Sequence, residues 1–222
     1  MSEMQPKPIE VGRSYPRILP LGDGTQVRPR LMVPSDIHRL LAFARSLPED
    51  DLQFLSVDIN KMLVVMIWGQ NIKAGLTVTV LAEKDREVVG YASVHHDRVS
   101  WQRHLGELRI QVAPAYRGHG LGSALGREAF AIAPELGIRK IVAHMTPNQE
   151  QAIALVKRSG FRLEAVLHDF VIDRNSREND LVVMTCVPAP AGAGDTKSHW
   201  VSLPRAQPDD VGIRSLPMEI IQ

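Results

Sequence analysis

Between Val112 and Ser123 the chain reads Val112-Ala113-Pro114-Ala115-Tyr116-Arg117-Gly118-His119-Gly120-Leu121-Gly122-Ser123, with glycines at 118, 120 and 122. The residues before it, Leu105 to Val112, read as a strand, and a helix is expected from about Gly120. Glycines let backbone approach a ligand closely, so successive N–H groups can converge on one spot. The helix N-terminus adds the positive end of its dipole, and Arg117 and His119 add donors. Such a turn is a cradle for a pyrophosphate. A tight strand-to-helix turn that needs glycine only for its backbone is the plainer alternative. A dinucleotide turn reads G-x-G-x-x-G near the start of a βαβ unit, and a phosphate loop of the Walker type needs Gly-Lys-Ser/Thr. Arg117-x-x-Gly120-x-Gly122, late in the chain and with no lysine following, fits neither.

Outward from this turn the elements alternate. Toward the N-terminus, Val27 to Val33 reads as a strand ended by Pro34. Ser35 is the expected N-cap of a helix with apolar face Ile37, Leu40, Leu41, Ala44 and Leu47. A second helix is expected over Leu52 to Ile67. Leu76 to Glu83 and Glu87 to His96 read as strands joined by the charged turn Lys84-Asp85-Arg86. Beyond the glycine turn, Pro134 removes an N–H and should end or kink the helix near Ala133. Lys140 to Met145 reads as a buried strand, and Gln149 to Ser159 as a helix stopped by Gly160. Arg162 to Asp173 and Asp180 to Val187 form a hairpin around Asn175. The order β-α-α-β-β-β-α-β-α-β-β gives the α/β (mixed α+β) class, a mixed sheet with helices on both faces.

Both ends differ in composition. Residues 1–24 carry Pro6, Pro8, Pro16 and Pro20 and read as an arm, and 25–187 read as the domain. Residues 188–222, rich in Pro, Ala and Gly at first, read as a mobile extension in which Ile213, Leu216, Met218, Ile220 and Ile221 could dock. The whole chain of 222 residues is 44% hydrophobic and 23% charged, as in ordinary globular proteins. Its 26 Lys and Arg against 25 Asp and Glu leave +1, which argues against a nucleic-acid partner. The apolar run Met62 to Trp68 is far short of the roughly 20 residues of a membrane span. The start MSEMQPKPIEVG lacks a signal-peptide core. The single cysteine, Cys186, among Val182, Val183, Met184 and Val187, reads as core and fits a reducing, cytoplasmic setting. No His/Asp/Glu pair has metal-ligand spacing, so no metal is expected.

Arg117-x-x-Gly120-x-Gly122, preceded by Val112-x-Pro114, resembles the acyl-CoA-binding motif of the GNAT superfamily of N-acetyltransferases. A second signature of that family follows in order: Gln149 to Leu155 on a helix after a strand, then Ser159-Gly160-Phe161. The resemblance covers about Gln26 to Val187. It implies a mostly antiparallel central sheet with one splayed parallel pair, and acetyl-CoA as cosubstrate. It implies that the pyrophosphate sits on Arg117, Gly118, His119, Gly120, Leu121, Gly122 and Ser123. The pantetheine arm would pair with the strand edge from Ile110 to Val112, where a backbone N–H polarises the thioester carbonyl. Gln149 falls where many relatives have an asparagine that touches the cofactor.

Direct transfer to an amine needs the ammonium deprotonated. Glu107, on the strand face shared with Arg109 and Gln111, is the candidate base, as in similar protein-lysine acetyltransferases; an ion pair to Arg109 is the structural alternative. His95 and His96, adjacent on a strand, are expected to face opposite ways. Where many relatives carry a tyrosine acid, four residues before Gly160, this chain has Val156. That departure keeps a noncatalytic acyl-CoA-binding or sensing module as the alternative to an N-acetyltransferase. The acids Glu49, Asp50, Asp51, Asp169 and Asp173 would suit a cationic amine acceptor, a small molecule or a protein lysine or N-terminus. The resemblance leaves a homodimer open.

Overall fold

The computed structural model describes residues 15–53 and 55–188. The expected C-terminal extension and its apolar tail lie outside the described residues. Eight strands form one sheet in the order β1-β2-β3-β4-β5-β6-β8-β7. They are β1 (Leu19–Pro20), β2 (Gln26–Leu31), β3 (Thr77–Lys84), β4 (Glu87–His95), β5 (Leu105–Val112), β6 (Lys140–Met145), β7 (Arg162–Ile172) and β8 (Glu178–Cys186). Only β5 and β6 run parallel. Parallel neighbours need a crossover, supplied by α4 (Leu121–Ile132). The helices α1 (Ile37–Ser46), α2 (Glu49–Leu52) and α3 (Met62–Lys73) precede the central strands, and α5 (Glu150–Arg158) follows β6.

Each face of the sheet buries its own core. Under α4 and α5 lie Val80, Val94, Leu108, Leu125, Ile141 and Met184. Leu125 is fully buried, so Leu125→Ala should cost about 2–5 kcal/mol. Under α1 and α3 lie Leu40, Phe43, Trp68, Leu81 and Tyr91. Tyr91 meets Trp68 edge-on at 5.2 Å and Phe43 at 6.0 Å. Gly69 lets α3 close on α1, since a Cβ there would stand 2.9 Å from Ile37 Cγ2. In the β3–β4 turn, Asp85 and Arg86 have φ of 50° and 69°, the left-handed pair whose twist suits a two-residue hairpin.

Three local expectations are corrected. Ser35 is not the cap of α1: a 3₁₀ turn Pro34–Asp36 leads in, and Asp36 accepts the Val33 N–H at 2.9 Å. Proline at the first position of that turn needs no acceptor, and Asp36 also holds both Nη1 and Nη2 of Arg30 at 2.7 Å. The helix expected over 52–67 is largely absent: α2 ends at Leu52 and α3 begins only at Met62. Asp58 captures the Asn60 N–H at 3.1 Å while its carbonyl accepts from Lys61, and this local turn displaces the helix between α2 and α3. The strand Lys140 to Met145 is buried on one face only: Ile141, Ala143 and Met145 point into the core, while Lys140, Val142 and His144 look outward. Pro134 acts as expected: α4 stops at Ile132, followed by a 3₁₀ turn Ala133–Leu136 closed by Gly137 at φ 75°. Part of the arm joins the domain: Leu19 and Pro20 pair with Val27 and Gln26, and the Tyr15 hydroxyl donates to Glu128 at 2.6 Å.

Candidate active site

The glycine turn stands where β5 hands over to α4. Gly118 and Gly120 have φ of 77° and 89°, which L side chains rarely adopt, and Gly120 is the N-cap of α4. A Cβ at either position would meet nothing within 4 Å, so the glycines border open space rather than packed protein. The first bond into the helix is Ala124 N–H to Gly120 O at 3.0 Å, leaving the N–H groups of Leu121, Gly122 and Ser123 at the exposed helix start. Gly122 is needed for packing: its Cβ would stand 3.0 Å from Leu155 Cδ1 on α5. These features fit a pyrophosphate held by backbone donors.

The Arg117 and His119 side chains of the turn are engaged elsewhere. Arg117 donates Nε–H to the Val112 carbonyl at 3.0 Å and pairs through Nη2 with Asp51 of α2. His119 lies 3.6 Å from Asp23, and its carbonyl accepts the Gly22 N–H at 3.0 Å. Both side chains brace the turn, so the backbone is what faces the cradle.

Below the turn the sheet forks. β5 and β6 pair only over Leu105–Glu107 against Lys140–Val142. From Leu108 to Val112 the β6-facing edge of β5 is unpaired. The Ala113 N–H bonds to Val89 O on β4 at 2.9 Å, so strand alternation turns the N–H groups of Val112 and Ile110 toward the gap. The expected splay is therefore present, with Ile110 and Val112 on its edge. Gln149, immediately before α5, uses its side-chain oxygen to accept the Thr146 N–H at 3.0 Å. Val156 is buried in the core and brings no hydroxyl.

Glu107 sits at the fork, on the α1–α3 face. It lines a cavity of about 620 Å³ together with His95, Lys140, His144, Glu164 and Thr185. Arg109 donates Nε–H and Nη2–H to its two oxygens, each at 2.9 Å, and His144 Nδ1 lies 3.9 Å away. Burial pushes the Glu107 carboxyl up, but His144 and Arg109 outweigh it and hold it well below the usual carboxylate range. His95 is held between the Thr77 hydroxyl at 3.0 Å and the Ser93 hydroxyl at 2.8 Å. Burial, reinforced by Arg109, pushes its imidazole down to about 3, so it is neutral. His95 and His96 both contribute to the lining of this cavity, but their rings are held on different partners, that of His95 on Thr77 and Ser93 and that of His96 on the Gly75 carbonyl at 3.0 Å.

Three of the five acids expected to receive a cation are already engaged. Asp51 holds Arg117, Glu49 holds Arg174 at 3.0 Å, and Asp173 accepts the N–H groups of Asn175 and Arg177. Burial raises the Cys186 thiol to about 12, which makes it a core side chain and a poor nucleophile. Lys140, His144, Glu164 and Thr185 were not singled out from the sequence. For Lys140 and His144 the signal was the period of two along Lys140-Ile141-Val142-Ala143-His144-Met145. No group of three or more potential metal ligands occurs among the described residues, and no helix among them is long and apolar enough to cross a membrane.

A glycine-capped helix beside a forked parallel strand pair defines an acyl-CoA-type transferase fold, and comparison agrees. The family model described as "Acetyltransferase (GNAT) family" matches residues 41–161, more than half of the chain, which therefore belongs to that family. The Bacillus subtilis protein YwnH, provisionally named a phosphinothricin acetyltransferase, is 33% identical over 78 residues, 35% of this chain and 47% of that protein. The streptothricin acetyltransferase of Streptomyces lavendulae is 34% identical over 77 residues, 35% of this chain and 40% of that protein. The chain thus spans half or less of the curated relatives it matches. The yncA protein of Salmonella typhimurium, solved with its cofactor acetyl-CoA, shares the fold at TM-score 0.65 and 20% identity, covering 78% of this chain and 100% of its own.

Proposed function

We propose that this chain is an acetyl-CoA-dependent N-acetyltransferase that acetylates a primary amine by direct attack, with both substrates bound together. The observation that carries the reading is the position of Glu107 at the fork, one end of an unpaired strand edge whose other end is the glycine turn. Acetyl-CoA, when bound, supplies an activated acetyl thioester, the C–S bond breaking as the C–N bond forms and the thiol being released.

The chain's part follows from its geometry. The N–H groups from Gly118 to Ser123 hold the pyrophosphate, with Arg117 and His119 bracing the turn. The N–H groups of Ile110 and Val112 meet the pantetheine arm and polarise the thioester carbonyl. Gln149 adds a contact from the start of α5. Glu107 attracts the ammonium and receives its proton on the way to His144 or to water. Because His144 and Arg109 together lower the proton affinity of this carboxylate, the proton moves outward rather than resting there. With Val156 at the tyrosine position, the sulfur leaves as thiolate or takes its proton from water, tolerable for a thiol with an ordinary pKa near 8.5. The catalytic unit is residues 25–187, working in the cytoplasm without a metal.

The test is calorimetry and thermal denaturation with acetyl-CoA, CoA, ATP and NAD, followed by thiol release against a panel of amines. Acetyl-CoA at a hundred times its dissociation constant should add about 2.7 kcal/mol of stability. Stabilisation by ATP or NAD alone would overturn the reading.

A further inference from the structure

A second cavity of about 550 Å³ lies at the far end of β5 from the glycine turn, between the β4–β5 loop and the segment before β6. Its lining is basic: His96, Arg98, Arg103, His104 and Arg139, with Trp101 at the rim. Among the described residues no Asp or Glu lines it, and none of the three arginines is ion-paired to another described residue. The nearest acid in sequence, Asp97, accepts the Val99 N–H at 2.9 Å and lines the neighbouring Glu107 cavity. The Arg98 guanidinium is packed over Gly75, 3.6 Å from where a Cβ would stand, and His96 donates Nε2–H to the Gly75 carbonyl at 3.0 Å. Trp101 is 84% exposed.

Three guanidinium groups around one concavity repel one another unless an anion joins them, and a guanidinium fork matches phosphate and carboxylate oxygens. This cavity neighbours the Glu107 cavity, His96 lying in the lining of both. In the Glu107 cavity Glu107 is balanced by Arg109 and Glu164 by Lys140 at 3.0 Å, and Asp97 is the remaining acid, so the two linings together keep a net positive charge from the three arginines. A plain polyamine is repelled by that field, and a nucleic acid needs a basic surface that follows several phosphates rather than one pocket.

We infer that the acceptor is an amine bearing a remote anionic group, phosphate or carboxylate. Its nitrogen lies at Glu107 and its anion among Arg98, Arg103 and Arg139. The inference rests on the N-acetyltransferase reading above and adds the substrate class. Glu107 and His104 are three residues apart along an extended chain, which sets the amine-to-anion distance at roughly 10 Å. The carboxylate of an α-amino acid is too close to its amine to reach both places.

Four acceptors of one chain length test this on the full chain: hexylamine, 1,6-diaminohexane, 6-aminohexanoate and 6-aminohexyl phosphate. Thiol release from acetyl-CoA gives kcat/KM for each, and calorimetry in the presence of CoA gives binding separately. Wild type should favour one of the two anionic acceptors over hexylamine by about tenfold or more, and which one it favours separates phosphate from carboxylate. In the Arg98→Ala/Arg103→Ala/Arg139→Ala variant that ratio should fall toward one, and in the corresponding triple lysine variant it should largely return. Preference for the diamine, or a ratio that survives the alanine variant, would overturn the inference. If no amine is acetylated but the anionic amines bind and the alanine variant abolishes that binding, the anion site stands and the transferase reading fails. Absence of both turnover and binding overturns the inference, while acetyl-CoA binding reports on the cofactor site independently.

Discussion

The two ends of β5 are built from different materials. At its C-terminal end the site is made of backbone: glycines at positive φ, a helix start with free N–H groups, and side chains turned outward as braces. At its N-terminal end the site is made of side chains, with Glu107, His144 and Lys140 drawn from two strands over one cavity and Arg109 paired to Glu107. A backbone site tolerates changes in its side chains but not in its φ angles. A side-chain site tolerates the reverse. The two ends should therefore respond to mutation in separable ways.

The largest effect is expected at the side-chain end. Glu107→Gln should lower kcat/KM by about 10²-fold or more while acetyl-CoA affinity stays within about twofold, read by steady-state kinetics beside calorimetry. An equal fall in acetyl-CoA affinity would erase the contrast. The same variant leaves Arg109 without its charge partner and should lose about 1–3 kcal/mol of stability at neutral pH. The sign with pH follows from the depressed carboxyl: the contribution of wild-type Glu107 is complete above the unfolded carboxyl pKa and fades as pH falls through the lowered folded value. Denaturant melts should therefore show the two proteins converging below about pH 4.5, the ordinary glutamate value.

At the backbone end, Gly120→Val forces a β-branched residue into φ 89° and puts a side chain into the cradle. Acetyl-CoA affinity should fall by more than about tenfold, with far-UV circular dichroism unchanged. Arg117→Ala should do less, about two- to fivefold in affinity, because backbone donors still hold the phosphates. Its partly exposed pair with Asp51 adds at most about 1 kcal/mol of stability. A larger affinity loss would show the guanidinium swinging onto the ligand and would sharpen the boundary between brace and donor. Smallest of all, Cys186→Ala should leave turnover within about twofold, with a modest fall in Tm from the lost core volume. Loss of turnover would point to a covalent route.

How much was legible in advance follows the same division. The strand Leu105–Val112 and the helix start after Gly120 coincide with their expected positions, because alternation and glycine spacing are local signals. The helix stop at Ile132 was legible for the same reason, since Pro134 acts on a carbonyl one turn away. The segment from 52 to 67 was misread because apolar content suggested one helix, while the carboxylate of Asp58 captured its own backbone. The Glu107–Arg109 pair could be named in advance, its members being two apart on one strand face. The approach of His144 to Glu107 could not, as it depends on the parallel register Glu107↔Val142 and the crossover between. Nor could the partner of Arg117, which lies 66 residues away at Asp51.

By itself the sequence determined the order of most elements and the glycine turn, while the forked sheet was what the family resemblance implied. The first two are fixed by backbone geometry over a few neighbouring residues. Only the tertiary structure decided which charges remain unspent. Asp51, Glu49 and Asp173 are engaged by Arg117, Arg174 and a local turn, while Arg98, Arg103 and Arg139 line one cavity that no acid among the described residues lines. Net charge is a sum over the chain, but the charge a ligand meets is a sum over a few ångströms, and only folding sets which groups fall within them.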